Sequence, residues 1–316
     1  MSSIKSFVYN LKAYDLVVIV FYFLLVALNL IFCSLVNEWK FFIIIDSLII
    51  LFVFLIAYLE HETGKKFFRI IHYWYTAPII LFTFKELYFL IKPIRQYDFD
   101  WLLIQIDRWI FGTDPTVFLS KYSHPLLTEI LQIVYGLFYI LPIILGITLQ
   151  RKKRYEALDY AVFSVIYGFF LSYIGYFALP GIGPRFTLHS FESINIELPG
   201  LLLTNFLREV VNIGESIPYG TLNPAEAVQR DIFPSGHTMI TLIVMYLSIR
   251  LKSRSKYFLI PVGTLLIFAT VYLRYHYVID LIGGALLMMF SVWSGRYLFN
   301  WWQKKLGLEQ FGYEKC

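Results

Sequence analysis

Apolar runs of about twenty residues, each bounded by charge, recur along the whole chain and fix the class of fold open to it. A helix needs roughly 20 residues to cross about 30 Å of hydrocarbon. With 58% hydrophobic and 16% charged residues and a mean hydropathy of +0.64 over 316 residues, no soluble core of this size hides the apolar surface. The expected fold is all-α, a polytopic integral membrane helical bundle of about eight transmembrane helices.

The crossings are predicted at Tyr14–Val36, Phe41–Leu59, Tyr75–Lys92, Pro125–Leu149, Leu158–Leu179, Thr238–Arg250, Tyr257–Leu273 and Tyr277–Trp301. The first lacks the short apolar core and small-residue cleavage site of a secretory signal, so it is expected to stay as an anchor. No repeat, low-complexity tract or Pro/Gly/Ser linker divides the chain. The expected organisation is two N-terminal helices, residues 1–72, followed by a membrane core over 73–316 built on six helices.

Orientation follows from Lys and Arg in the short connections, because positive loops stay in the cytoplasm. With Lys5 and Lys12 inside, the clusters Lys65-Lys66 with Arg69, Arg151-Lys152-Lys153-Arg154, Arg250 to Lys256 and Lys304-Lys305 all fall on the same side. An integral protein of the cell inner membrane is expected, with both termini cytoplasmic. His237, His276, Asp280 and Arg185 then face the non-cytoplasmic side, while His61 and His72 face the cytoplasm and drop out as candidates. The net charge of +5 is mostly this basic ring, which suits anionic headgroups and makes the bilayer, not nucleic acid, the partner. Cys33 inside the first crossing and Cys316 at the terminus make neither a disulfide nor a metal site, and no cofactor or metal is called for.

Two stretches are too polar to cross. Asp98 to Phe111 mixes acids and tryptophans with an apolar stripe, and Gly200 to Asp231 carries Arg208 and Glu209 beside Leu201-Leu202-Leu203. Each is expected at the outer interface, either as a lid over a site or as plain anchoring.

Ionisable groups near a bilayer core are costly, so their clusters point to function. Asp280 follows His276 by four positions, and both side chains share a helix face. A carboxylate there holds one imidazole nitrogen as its N–H partner and leaves the other with an outward lone pair, the state of a nucleophilic histidine. Taken alone, the pair also fits an interfacial hydrogen bond that steadies a helix start. Pro234-Ser235-Gly236-His237 reads as a helix N-terminus whose amides and dipole suit a phosphate, with His237 beside it as a general acid. Arg185, in the Gly/Pro-rich turn Pro180 to Phe186, offers a guanidinium fork for phosphate. Arg274, two residues before His276, is a second candidate or a headgroup contact.

The order of these motifs resembles the type-2 phosphatidic acid phosphatase superfamily. More narrowly, Gly183-Pro184-Arg185-Phe186-Thr187, Phe233-Pro234-Ser235-Gly236-His237-Thr238 and Val271 to Asp280 resemble the branch that contains inositol phosphorylceramide synthases, over roughly Tyr75 to Trp302. The resemblance implies that His276 attacks phosphorus to form a phosphohistidine, Asp280 orients it, His237 protonates the leaving oxygen, Ser235, Gly236 and Arg185 hold phosphate, and no metal is required. Where the phosphatases carry a lysine before the first-motif arginine this chain has Ala178. Phe186 replaces a proline, and Ala269-Thr270 replace Ser-Arg. These departures favour a transferase-like reading, in which Arg274 stands in for one missing cation.

Lys85 and Glu86, in the third crossing, point about 100° apart and cannot simply pair. Lys85 is a candidate for the absent phosphate lysine and Glu86 for a contact to a hydroxyl-rich headgroup, against hydrogen bonding inside the bundle. His189 is weighed as a phosphate aid against a surface role, and His124 shows no evident partner. The leading expectation is a membrane-embedded lipid phosphatase or phosphotransferase acting on a phospholipid or lipid phosphate. The competing one is a transporter or anionic-lipid-binding protein that breaks no bond. Interrupted helices with internal pseudo-symmetry would signal the transporter, and neither stands out in the sequence.

Overall fold

The computed structural model describes residues 10–315; Lys5 and Cys316 lie outside them. Among the described residues there is helix and no strand. The main helices are α1 (Ala13–Ile31), α2 (Trp39–Thr63), α3 (Lys66–Trp74), α4 (Thr76–Ile94), α5 (Asp100–Phe111), α6 (Pro115–Ser120), α7 (Pro125–Gly136), α8 (Ile140–Arg151) and α9 (Tyr155–Ala178). Three short turns and one amphipathic helix follow: α10 (Pro184–Thr187), α11 (Ile194–Glu197), α12 (Thr204–Gly214) and α13 (Pro224–Ala227). The chain closes with α14 (Gly236–Arg250), α15 (Lys256–Tyr272) and α16 (Val278–Lys305).

All eight expected crossings overlap helix, but they differ in reach, and residues 32–36 of the first, with Cys33 among them, lie beyond the end of α1. Four helices, α1, α2, α9 and α16, are long and apolar enough to cross a membrane, and α7 with α8 make a fifth if their 54° bend is one broken span. The others fall short for separate reasons. Helix α4 carries Lys85, Glu86 and Lys92, while α14 and α15 have 15 and 17 residues and rise about 22 and 25 Å. On α2 the large apolar residues Phe41, Ile44, Leu48, Leu51 and Leu55 are exposed along one stripe, as a lipid-facing helix requires. The chain is an integral membrane protein.

The chain divides into two compact units. The first comprises residues 10–94, 149–170 and 290–315, and the second 95–148 and 171–289. In the first unit α1 presents Asp15, Tyr22 and Asn29 at seven-residue spacing on one fully buried face. Each meets a polar partner: Asp15 accepts from Tyr75 at 2.6 Å, Tyr22 shares a 2.7 Å bond with Thr83, and Asn29 donates to Glu86 at 3.2 Å. At the Asp15 end, His72 lies between Asp15 (2.8 Å) and Glu60 (2.6 Å), with Lys12 3.1 Å from Asp159. This network answers for His72 without any catalytic role.

In the second unit α14 and α15 form a hairpin, α7 packs against α15 and α12 against α7, around Leu131, Tyr135, Leu198, Leu273 and Tyr275. The start of α14 also presses onto the first turns of α16. A Cβ on Gly284 would sit 2.6 Å from the Ser235 carbonyl oxygen, so only glycine permits this approach.

Candidate active site

The site is built where α14 and α16 begin. Ser235 caps α14, its Oγ accepting the Thr238 amide at 3.2 Å, so His237 stands in the first turn. Its ring lies between aromatic walls, stacked on Tyr135 at 4.7 Å and beside Phe138 at 4.2 Å, and Tyr135 in turn stacks on Tyr275. His276 arrives from the turn between α15 and α16, where Arg274 takes a left-handed conformation (φ 66°) and the His276 amide donates back to Thr270. The two motif segments are tied directly, the Ser235 amide donating to the Asp280 carbonyl at 3.0 Å.

Asp280 and the two imidazole rings lie in a row. Asp280 Oδ2 lies 3.3 Å from His276 Nδ1 and accepts the Tyr277 amide at 2.8 Å, while His276 Nε2 lies 3.5 Å from His237 Nδ1. With Nδ1 protonated toward Asp280, Nε2 carries the lone pair. The Ile232 carbonyl also accepts from the His276 ring. Burial pushes His276 well below the ordinary imidazole range, and the charges of His237 and Arg185 add to this, so the ring is neutral at physiological pH.

Arg185 is buried, donates to Asn212 at 3.1 Å, is ion-paired with Glu215, and faces the Tyr275 ring at 5.0 Å. Arg274 is also buried but turns toward Glu197, with which it forms an ion pair; its charge acts on His189 and Arg208. The amides at the PSGH turn are already engaged: that of Ser235 by Asp280, and that of Gly236 by the Tyr176 hydroxyl. Lys85 and Glu86 belong to the first unit, where Glu86 bonds with Asn29. His189 bonds to Thr116 at 3.0 Å and is pushed down to about 4 by burial and by Arg274. His124 does have partners, capping α7 through Leu126 and donating its amide to Tyr272.

Several structural residues escape sequence reasoning. Asp100 Oδ1 and Oδ2 accept the amides of Gly183 and Ile182 at 2.8 and 2.9 Å, and Oδ1 also takes the Tyr277 hydroxyl at 2.8 Å, so one carboxylate ties the arginine-bearing turn to the residue after His276. Asp107 accepts the amides of Val278 and Ile279, both at 2.8 Å, and so caps α16. The signal was present: two aspartates seven apart on an otherwise apolar helix face. Glu129 likewise caps α12 through the amides of Leu201 to Thr204. Among the described residues no group of three His, Cys, Asp or Glu side chains has the arrangement of a metal site.

The three motifs therefore converge in one unit, in the order Arg185, His237, His276. A family model described as the PAP2 superfamily matches residues 101–294, more than half the chain and every one of these groups. The chain belongs to the PAP2 superfamily. Members of this superfamily are phosphatases and phosphotransferases, and the match begins after Lys85 and Glu86. No curated protein and no solved structure matches the chain.

Proposed function

We propose that this PAP2 superfamily member cleaves a lipid phosphoester through a covalent phosphohistidine. The supporting observation is the 3.5 Å approach of His276 Nε2 to His237 Nδ1 with Asp280 behind the first ring. His276 Nε2 attacks phosphorus as the phosphorus–oxygen bond to the leaving group breaks, and His237 gives its proton to that oxygen. In the second half, an acceptor hydroxyl yields its proton to His237, its oxygen attacks phosphorus, and the phosphorus–nitrogen bond breaks to restore His276. Arg185 offsets charge on the phosphoryl oxygens by exchanging Glu215 for substrate. The amides of Ser235 and Gly236 hold those oxygens only if they leave Asp280 and Tyr176, and Arg274 joins only if it leaves Glu197.

A lipid substrate is favoured by the neighbouring surface. A groove of about 650 Å³, almost wholly apolar and lined by Phe111, Phe118, Leu119, Phe268, Val271 and Val278, reaches to within two residues of His276. It suits an acyl chain better than a water-soluble phosphate. The distribution of Lys and Arg favours a site on the non-cytoplasmic side, with both termini in the cytoplasm, and the membrane proposed for the protein is the cell inner membrane. Water as acceptor makes the protein a phosphatase; a lipid hydroxyl makes it a phosphotransferase, and the sequence resemblance points to transfer of a headgroup such as phosphoinositol. The test is mass spectrometry of products from purified protein given phospholipids and lipid phosphates, with and without a lipid alcohol. Turnover that disappears in His237→Ala and prefers lipid over short-chain phosphate esters supports the proposal. Lipid binding without any turnover refutes it.

A further inference from the structure

A second cluster of ionisable groups sits in the first unit and has no part in this chemistry. Asn29 on α1, Asp46 on α2 and Glu86 on α4 are all buried, at 0%, 0% and 1% exposure. Asp46 is the eighth residue of α2 and lies about 10 Å along it, within an apolar span. Asp46 and Glu86 interact directly, through a hydrogen bond between the two carboxyl groups and through their charges.

What sets this cluster apart is its hydrogen bonding. Asn29 spends its amide donors on the Leu25 carbonyl (3.1 Å) and on Glu86 Oε1 (3.2 Å). Beyond the contact between the two carboxyl groups themselves, no donor reaches Asn29 Oδ1, either carboxylate oxygen of Asp46 or Glu86 Oε2. Other acids inside this unit differ. Asp15 accepts from Tyr75, His72 and the Lys12 amide, and Glu60 faces Lys12, His72 and Arg69. Unsatisfied buried acceptors each cost free energy, and two neighbouring carboxylates cannot both stay ionised in an apolar bundle without positive charge between them. Acceptors only, one of them an amide oxygen, all on rigid helices, form a donor set for a small hard cation rather than for a transition metal.

We propose that Asn29, Asp46 and Glu86 form an intramembrane site that takes up one small cation, a proton or Na⁺. The titratable groups facing it are Tyr22 from α1, Asp46 from α2 and Glu86 from α4. Tyr22 is held by Thr83. All three site residues belong to the first unit, so the phosphoester reading can fail without touching them, and the reverse also holds.

The test uses the full-length protein in detergent or nanodiscs. Thermal unfolding is followed in NaCl against choline chloride at equal ionic strength, and the infrared carbonyl band of buried protonated carboxyls is followed from pH 5 to 10. A melting temperature that rises and saturates with NaCl, and no longer responds in Asp46→Asn or Glu86→Gln, identifies Na⁺. A carboxyl band that bleaches reversibly as pH rises, with no effect of salt, and that is missing from Asp46→Asn or Glu86→Gln, identifies the proton at this site rather than at Asp100, Asp107 or Asp280, which are also buried. Asp46→Glu and Glu86→Asp, which keep both carboxyl groups and should shift the band, are compared with wild type if the neutral variants do not fold. Melting independent of Na⁺, together with a carboxyl band that never titrates, overturns the proposal and leaves two permanently neutral structural acids.

Discussion

Replacing Asp280 with Asn isolates the electrostatic part of the proposed chemistry. The substitution keeps the side chain's shape and leaves a carbonyl oxygen for the Tyr277 amide, now accepted by Asp280 Oδ2 at 2.8 Å, and the Ser235 amide bonds to the Asp280 backbone in either case. What is lost is the negative charge 3.3 Å from His276 Nδ1. As Nε2 bonds to phosphorus the ring becomes cationic, and at that separation, with an effective dielectric constant of about 20, the lost attraction is about 5 kcal/mol. The amide also presents an N–H to Nδ1, which favours the tautomer that has no lone pair on Nε2. At about 1.4 kcal/mol per factor of ten, kcat should fall roughly 10³ to 10⁴-fold. The assay is phosphate release or headgroup transfer by the purified variant, with thermal unfolding run alongside to show that the fold is kept. An Asp280→Asn protein that melts like the wild type and turns over within tenfold of it refutes the assignment.

Other perturbations test other parts. Asp107→Ala removes both caps on the first turn of α16 and should cost about 1–2 kcal/mol, seen as a lower melting temperature with reduced turnover, because that turn carries Asp280. Gly236→Ala places a Cβ against the Tyr176 hydroxyl and should abolish turnover; Tyr176→Phe in the same protein should restore part of it, and absence of any rescue would separate that contact from the loss. For His72, burial lowers the pKa, but the charge and hydrogen bond of Asp15, with the bond from Glu60, outweigh it and raise the group to about 9. A folded value above the unfolded one contributes stability that is complete below about pH 6.5 and is lost as pH rises through about 9, roughly 3 kcal/mol in all. Unfolding measured across that range should show this decline, and His72→Gln should flatten it.

The hydropathy of the chain made the helical membrane fold legible, because an apolar run of span length has few alternatives. The bend between α7 and α8 was not legible, since Leu137-Phe138-Tyr139 continues the same apolar text. The direction of His237 could be anticipated, because a helix start fixes it locally. The helix face expected to carry both His276 and Asp280 does not form, since His276 lies in the turn before α16 and Asp280, in the first turn of that helix, meets its ring from there. The partners of Arg185 could not: Asn212 and Glu215 come from a different segment about 30 residues away, and ion pairing across a loop leaves no periodic trace. Asp100 and Asp107 read as interfacial acids on an outer helix. Their task, accepting backbone amides of distant turns, concerns groups that every sequence contains and none advertises.

The central claim is a phosphorus–nitrogen bond on His276, and it is tested most directly by trapping it. Protein mixed with radiolabelled lipid phosphate and quenched in alkali within the first turnover should carry an acid-labile, base-stable label. Peptide mass spectrometry should place that label on His276, and His237→Ala should let it form from a substrate with a good leaving group. Label on another residue, or undiminished turnover by His276→Ala, would contradict the account.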